Sequence, residues 1–344
     1  MELLPESVQL VYSQLLDELL GVGLPSRGIS FVRRAVRGRD YWYMQLVIGS
    51  ERQAFYLGPD DEATRRRVEA NRTLRREAEQ AEEVRGRLVT MLRAGGAAVL
   101  PASHARVLET LAQAGVFLVG GVLVSSHAFT LLGNALGVRW DAGTARTADV
   151  DLAHDRTISA VVPPAPVDLE QAVRATGQPF FPVPALRHDH PSTSFKVRGS
   201  ELSVSLLTPM IGRPDGSPRP VPTLRAMAEP LRFLEFVLTD TQQVAVPVRQ
   251  GFLVTTPSPA RFALHKLVVS VRRPATFAIK ARKDVAQARQ VLAFLASERP
   301  GDLDLAIDAA REMPQRFQHQ LRQAAAGLPD DLATLLCDRL PDAG

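Results

Sequence analysis

The chain has a single cysteine, Cys337, among 344 residues. That excludes an intramolecular disulfide and a thiolate zinc cluster, and leaves a packed helical thiol as the expectation. No apolar run approaches the roughly 18 residues of a membrane span. The first residues, MELLPESVQLVYSQLLDELL, lack a basic n-region and a small-residue cleavage site, so a cytoplasmic protein with no membrane partner is expected. There is no P-loop and no repeat of fixed period. Gly115, Gly120 and Gly121 do not fit the glycine spacing of a dinucleotide fingerprint, and without it Asp141 carries little weight as a ribose ligand.

What is present is ordinary globular material, with 45% hydrophobic and 23% charged residues. This is enough chain for two or three domains with a well-buried core. The net charge of +4 is carried by arginine far more than by lysine, which permits phosphate-rich partners without requiring them. The basic residues concentrate in the N-terminal third. Alternation of aromatic and polar residues between Tyr41 and Leu57, with Gly49-Ser50 between two runs, predicts a β-hairpin. From Glu62 to about Leu92 the spacing predicts a helix, whose arginines (Arg65, Arg66, Arg67, Arg72, Arg75, Arg76) interleave with glutamates at helical spacing. A salt-bridged, solvated helix accounts for that pattern; a nucleic-acid or partner surface built from Tyr41, Trp42, Tyr43, Arg52 and the start of the helix is the alternative.

The chemistry-bearing stretch runs from Val116 to Asp155. The apolar run Gly121-Val122-Leu123-Val124 stops at Ser125-Ser126, and HAFTLLGNAL follows at helical spacing, which makes either serine a natural N-cap. A helix N-terminus with free N–H groups and a small hydroxyl is a phosphate site. Further on, Asp149-Val150-Asp151 reads as a strand, where alternate side chains share a face, so both carboxylates point one way. Paired oxygen ligands of this kind suit Mg²⁺, with nucleotide phosphates completing its shell.

This arrangement resembles the DNA polymerase β-like nucleotidyltransferase superfamily, whose signature is a small Gly-Ser or Gly-Gly turn, a helix, then Asp-x-Asp or Asp-x-Glu on the next strand. The longer match, LVSSHAF, LGVRW, TADVDLA, SLLTP, FALHKLVVSVRR and KARKD, is similar to a bacterial branch of that superfamily related to abortive-infection-type nucleotidyltransferase toxins. The small turn is either Gly120-Gly121 or Ser125-Ser126. The serines sit at the strand-to-helix junction, although Ser125 then stands where glycine is usual. The resemblance implies a third carboxylate on a later strand, and the matching position in ELSVSLLTP is Ser205. Glu201 shares a face with Ser203 and Ser205, but four strand residues span roughly 13 Å, so it would replace the acid only through a bulge or register shift.

The resemblance further implies that Lys266 contacts nucleotide phosphates and that Lys283 and Asp284 support the site. In ARFALHKLVVSVRR, Arg261, His265, Val268 and Arg272 lie along one helical stripe, with Lys266 and Arg273 on a neighbouring one. Such a cluster, with Lys280 and Lys283 beyond it, can bind a triphosphate; an amphipathic helix with snorkelling cations is the plain reading. His188-Asp189-His190, in a Pro-rich stretch, has the look of a metal cluster but reads as a surface loop. A helix over 168–176 and exposed loop IGRPDGSPRPVP are expected in the same region.

Taken together, the expected fold is α+β: a helix, hairpin and long-helix module over 1–95, a mixed-sheet nucleotidyltransferase core over 96–222, and a mostly helical domain over 223–344. The expected activity is metal-dependent transfer of a nucleoside monophosphate from an NTP to an acceptor hydroxyl. Asp149, Asp151 and Ser205 occupy the catalytic positions, Asp149 and Asp151 hold Mg²⁺ or Mn²⁺, and Ser125, Ser126, Lys266, Arg273 and Lys283 bind the nucleotide. An RNA 3′ end such as that of tRNA suits the basic N-terminal third; a protein acceptor or a neutralising partner protein is the other kind of partner considered. With serine at the third position, a catalytically weakened protein that binds nucleotide or nucleic acid is the competing expectation. A scaffold in which the two acids merely end a strand is the third.

Overall fold

The computed structural model describes residues 1–21, 29–36, 38–48, 51–141, 143–144, 148–155, 166–185, 187, 190–212 and 216–340. The chain opens with β1 (Glu2–Leu3) and α1 (Glu6–Leu20), then β2 (Ile29–Val36), β3 (Arg39–Ile48) and β4 (Glu51–Pro59), and the long α2 (Glu62–Ala94). The predicted hairpin is therefore the second half of a three-stranded antiparallel sheet in the order β2-β3-β4. Asp61 caps α2 by accepting from the Thr64 N–H at 2.7 Å, as a helix N-terminus with orphan donors requires.

The middle of the chain follows with α3 (Ala102–Gln113), β5 (Gly121–Val124), α4 (Ser125–Leu136), β6 (Val138–Arg139), β7 (Asp149–His154), α5 (Leu169–Arg174), β8 (Phe180–Pro182), β9 (Ser194–Val197) and β10 (Ser203–Pro209). Next come β11 (Arg219–Val221), β12 (Ala226–Leu231), α6 (Glu235–Leu238), β13 (Thr241–Val246) and β14 (Phe252–Pro257). The chain closes on helices α7 (Pro259–Arg272), α8 (Ala278–Glu298), α9 (Pro300–Arg311), α10 (Gln315–Ala325) and α11 (Asp330–Cys337). Cys337, at the end of α11, is a free, half-buried thiol packed against the core. No helix among the described residues is long and apolar enough to cross a membrane.

The main sheet is mixed. Its strands run in the order β11-β12-β10-β7-β5, with β8 and β9 branching from β10. Strand β7 pairs antiparallel with β5 and parallel with β10. The partners of β10 on its other edge change along its length: Ser203 to Ser205 pair with β9, and Leu207 to Pro209 pair with β12. Strand parity decides what this sheet buries. Val150 and Leu152 of β7, and Val204 and Leu206 of β10, are buried, whereas the alternating Asp149, Asp151, Ser203 and Ser205 are half-buried on the opposite face. Each buried aliphatic side chain contributes roughly 1.5–3 kcal/mol relative to exposure, so a one-residue slip that turned the carboxylates inward would be strongly opposed.

One continuous hydrophobic core reaches from Leu100 through the sheet to Leu340, taking in Phe129, Leu152, Phe236, Phe262, Leu292 and Phe317. Strand β12, which falls within the stretch 223–344 expected to be mostly helical, belongs to the main sheet. A smaller core of Leu4, Val8, Tyr12, Leu15, Leu88, Val89 and Leu92 joins α1 to the C-terminal half of α2. The Tyr12 hydroxyl accepts from the Ala245 N–H at 3.0 Å. Burial pushes that phenol up to about 12, so it stays neutral and ties α1 to β13.

Candidate active site

Asp149 and Asp151 occupy the first and third positions of β7, on the half-buried face. Across the parallel ladder Ser203 pairs with Asp149 and Ser205 with Asp151. The Ser203 hydroxyl donates to Asp149 Oδ1 at 2.8 Å. Ser205 therefore stands where the third carboxylate was expected, in an unbulged register. Glu201 precedes the strand, is exposed, and pairs with Lys196 at 3.2 Å. The bulge or slip that would bring it to the carboxylates is absent, so it does not replace the missing acid.

On the other side, Val124 pairs with Asp151, which places the β5-to-α4 junction beside the carboxylates. The alternative small turn, Gly120-Gly121, sits at the far end of β5, where Gly121 pairs with His154. There Gly120 has φ +96°, and a Cβ would come within 3.2 Å of the His154 ring. That ring is itself held by the Val119 carbonyl at 2.7 Å and the Thr223 hydroxyl at 3.0 Å. This turn is a packing feature, and the serines form the turn at the site.

Ser125 carries φ +65°, the left-handed region that favours glycine. Contrary to the sequence expectation, neither serine caps α4: the N-cap is Val124, with no side-chain capping bond. Ser126 Oγ instead accepts from Gln287 Nε2 at 3.1 Å. Ser125 Oγ is buried without a partner in hydrogen-bond geometry, though it lies close enough to Asp151 to favour its ionised form. Burial dominates at Asp151 and raises its carboxyl above the usual range; Ser125 opposes this, the Asp149 charge reinforces it, and Lys266 and Lys280 oppose it from farther away.

Helices α7 and α8 supply the cations. Lys266 is buried and donates to Asp284 Oδ1 at 2.7 Å, and Arg273 Nε reaches Asp284 Oδ2 at 2.5 Å. Lys280 Nζ lies 3.7 Å from Asp149 Oδ2. Lys283 is lowered by burial first, then by Lys266 and Lys280, while Asp284 and Asp149 raise it. His265 is pushed down to about 3 by burial, so it is neutral at physiological pH. A cavity of about 110 Å³ opens here, lined by Ser125, Asp151, His265, Lys266 and Arg273 together with apolar side chains such as Phe262. A larger one of about 730 Å³ lies by Ala148, lined by His104, His127, Thr130, Ser200 and Glu201 among others.

The fold thus brings together Asp149, Asp151, Ser205, Ser125, Ser126, Lys266, Arg273 and Lys283. It sets Lys280, read from sequence as part of the cation cluster, against Asp149, and it adds Ser203, to which sequence reasoning gave no role. The signal for Ser203 was strand parity, which sets it on the face of Ser205. His188 and Asp189 of the candidate metal cluster lie outside the described residues. Among the described residues no group of three or more His, Cys, Asp or Glu is placed to hold a metal. Two carboxylates with neighbouring hydroxyls form an oxygen-only donor set. A half-buried carboxyl held above its usual range, with the buried Ser125 hydroxyl beside it, fits a hard divalent cation whose shell is completed by phosphate and water.

The model of a family described as Nucleotidyltransferase matches residues 102–312. Comparisons with curated proteins and with solved structures give no match.

Proposed function

Because the chain belongs to this nucleotidyltransferase family, we propose that it moves a nucleoside monophosphate from an NTP to an acceptor hydroxyl at the edge formed by Asp149 and Asp151. The observation that carries the reading is the shared half-buried face of these two carboxylates beside the Ser125-Ser126 turn and the start of α4. Asp149 and Asp151 would hold Mg²⁺ or Mn²⁺. Bound there, the cation supplies charge neutralisation at the reacting phosphates.

The residues of the chain take the remaining tasks. The first N–H groups of α4 and the Ser125 and Ser126 turn bind the β,γ-phosphates. Lys266, fixed by Asp284, and Lys280, exposed and on Asp149 in the resting protein, offset the charge that builds on the leaving pyrophosphate, with Arg273 and Lys283 behind them. The acceptor oxygen attacks the α-phosphorus, the bond to the β-phosphate oxygen breaks, and pyrophosphate departs. With serine at position 205, the acceptor's proton passes to water or to a substrate oxygen. The acceptor is an RNA 3′ end, tRNA being one such, a choice that rests on the basic N-terminal third.

The test incubates purified protein with each NTP labelled at the α-phosphorus, Mg²⁺ or Mn²⁺, and total cellular RNA or lysate, with Asp151→Ala as control. Label on RNA with the wild type alone supports the reading; label on protein moves the acceptor to a polypeptide hydroxyl or a partner protein of the toxin-neutralising kind. Ser205 favours one second reading, a nucleotide-binding regulator with weakened transfer. NTP binding with no label on any acceptor, with either metal, selects it.

A further inference from the structure

The β2-β3-β4 sheet has two unlike faces. On one, the Trp42 indole N–H donates to Asp60 Oδ1 at 2.8 Å, and Arg33 and Arg65 reach the same carboxylate at 3.1 and 2.7 Å. Arg65 first, then Trp42 and Arg33, hold the Asp60 carboxyl well below the usual range. Gly58 abuts Thr64 of α2 on this side. The arginines at the start of α2 are thus already paired, Arg65 with Asp60 and Arg66 with Glu62. Trp42 and the helix start, which the alternative sequence reading placed in a nucleic-acid or partner surface, are joined through Asp60. The side chains of Arg52, Arg72, Arg75 and Arg76 lie outside the described residues.

The other face is different. Tyr41 and Tyr43 alternate onto it from β3, and Tyr56 faces Tyr43 across the β3-β4 ladder. The ring centroids lie 5.9 Å apart for Tyr41 and Tyr56 and 5.7 Å for Tyr43 and Tyr56. Tyr56 is 59% exposed. Arg34 pairs with Tyr41 in the ladder and carries its guanidinium 5.6 Å from the centre of the Tyr43 ring. Arg39 shares the parity of Tyr41 and is exposed. Among the residues of this face whose side chains are described, Val32, Arg34, Arg39, Tyr41, Tyr43 and Tyr56 bring no acid to it.

We propose that this tyrosine face is a docking surface for single-stranded nucleic acid, and specifically for the RNA acceptor. Adjacent aromatic rings on a sheet take bases by stacking, which tolerates any sequence because every base has a π-face, while Arg34 and Arg39 meet the phosphates. A duplex hides its bases and offers this face only its backbone. The choice of RNA rests on the transfer reading above; the stacking surface does not.

The experiment measures fluorescence anisotropy of labelled RNA and DNA single strands of about ten nucleotides, and of the matching duplexes, with the full chain and no NTP. Single strands bind more tightly than duplexes, and affinity falls with salt. Tyr43→Ala and Tyr56→Ala each weaken binding about tenfold, Tyr43→Phe and Tyr56→Phe retain it, and Arg34→Gln lowers the salt slope by about one. A melting temperature within a few degrees of wild type shows that each variant folds. Binding that ignores both alanine substitutions, or duplexes bound as tightly as single strands, overturns the proposal; DNA bound in preference to RNA overturns the acceptor assignment. If label reaches only protein while no oligonucleotide binds, this inference falls and transfer stands. If oligonucleotides bind through the tyrosines and no transfer occurs, the transfer reading falls and the surface stands.

Discussion

Ser205 faces Asp151 across the parallel pairing of β7 and β10, in the same register that sets Ser203 against Asp149. Neighbouring strands lie about 5 Å apart, so a carboxylate at 205 would sit within reach of a cation held by Asp151. Ser205→Asp should tighten Mn²⁺ binding at least about tenfold and lower metal-free stability by roughly 1 kcal/mol through like-charge repulsion. Calorimetric Mn²⁺ titration and a thermal melt read the two effects. Unchanged Mn²⁺ affinity would remove position 205 from the metal site.

Asp151 gives a pH signature. Burial raises its carboxyl in the folded protein, so the ionised form is disfavoured there relative to the unfolded chain. Its favourable contribution is complete below the unfolded value near 3.9 and is lost as pH rises through the raised folded value. At neutral pH without divalent ions, Asp151→Asn should therefore be more stable than wild type, with the gap closing under strong acid. Mg²⁺ should stabilise wild type alone, and transfer by the variant should fall at least about a thousandfold, equivalent to roughly 4 kcal/mol of lost charge stabilisation. Denaturant titrations at several pH values, with and without Mg²⁺, check the stability half. A wild-type rate in Asp151→Asn would falsify the metal-site assignment.

Lys266 and Lys280 should separate by what they disturb. Lys266 is one of two cations on the buried Asp284, and removing one partner from such a cluster costs about 3–5 kcal/mol. Lys266→Met should lower the melting temperature sharply. Lys280, 57% exposed at its side chain, carries little of the fold; Lys280→Gln should leave the melt within a degree or two and reduce kcat/KM for the NTP. Equal melting losses in both variants would contradict the division.

The left-handed Ser125 is a local strain of order 1–3 kcal/mol for a residue with a Cβ. Ser125→Gly should relieve it and raise stability by about 1 kcal/mol, while removing the hydroxyl that favours the ionised Asp151. A destabilised glycine variant would mean that the buried hydroxyl outweighs the backbone strain.

Some of this site was legible because period-2 parity converts sequence directly into geometry. Asp149, Asp151 and Ser205 are short-range statements about two strands, and the register that joins them follows from burying Val150, Leu152, Val204 and Leu206. The long helix from Glu62 was read from helical spacing, and the α+β class from the family resemblance. Tertiary choices were not legible. Parity sets Trp42 and Tyr43 on opposite faces, but nothing local says which of them meets Asp60, or that Lys280 reaches a carboxylate 131 positions earlier in the chain. The expected serine cap failed because hydroxyl preference at a helix start was overridden by Ser125's turn into the left-handed region and by a distant glutamine on Ser126.

That glutamine constrains how the protein can open. Gln287 Nε2 donates to both Ser126 Oγ, at 3.1 Å, and the Thr144 carbonyl, at 2.6 Å, and the side chain is wholly buried. A hinge that swung α8 away from α4 would break both bonds, at a net cost of about 1–3 kcal/mol. Gln287 thus fastens α8 to the first turn of α4, the turn that Val124 sets beside Asp151.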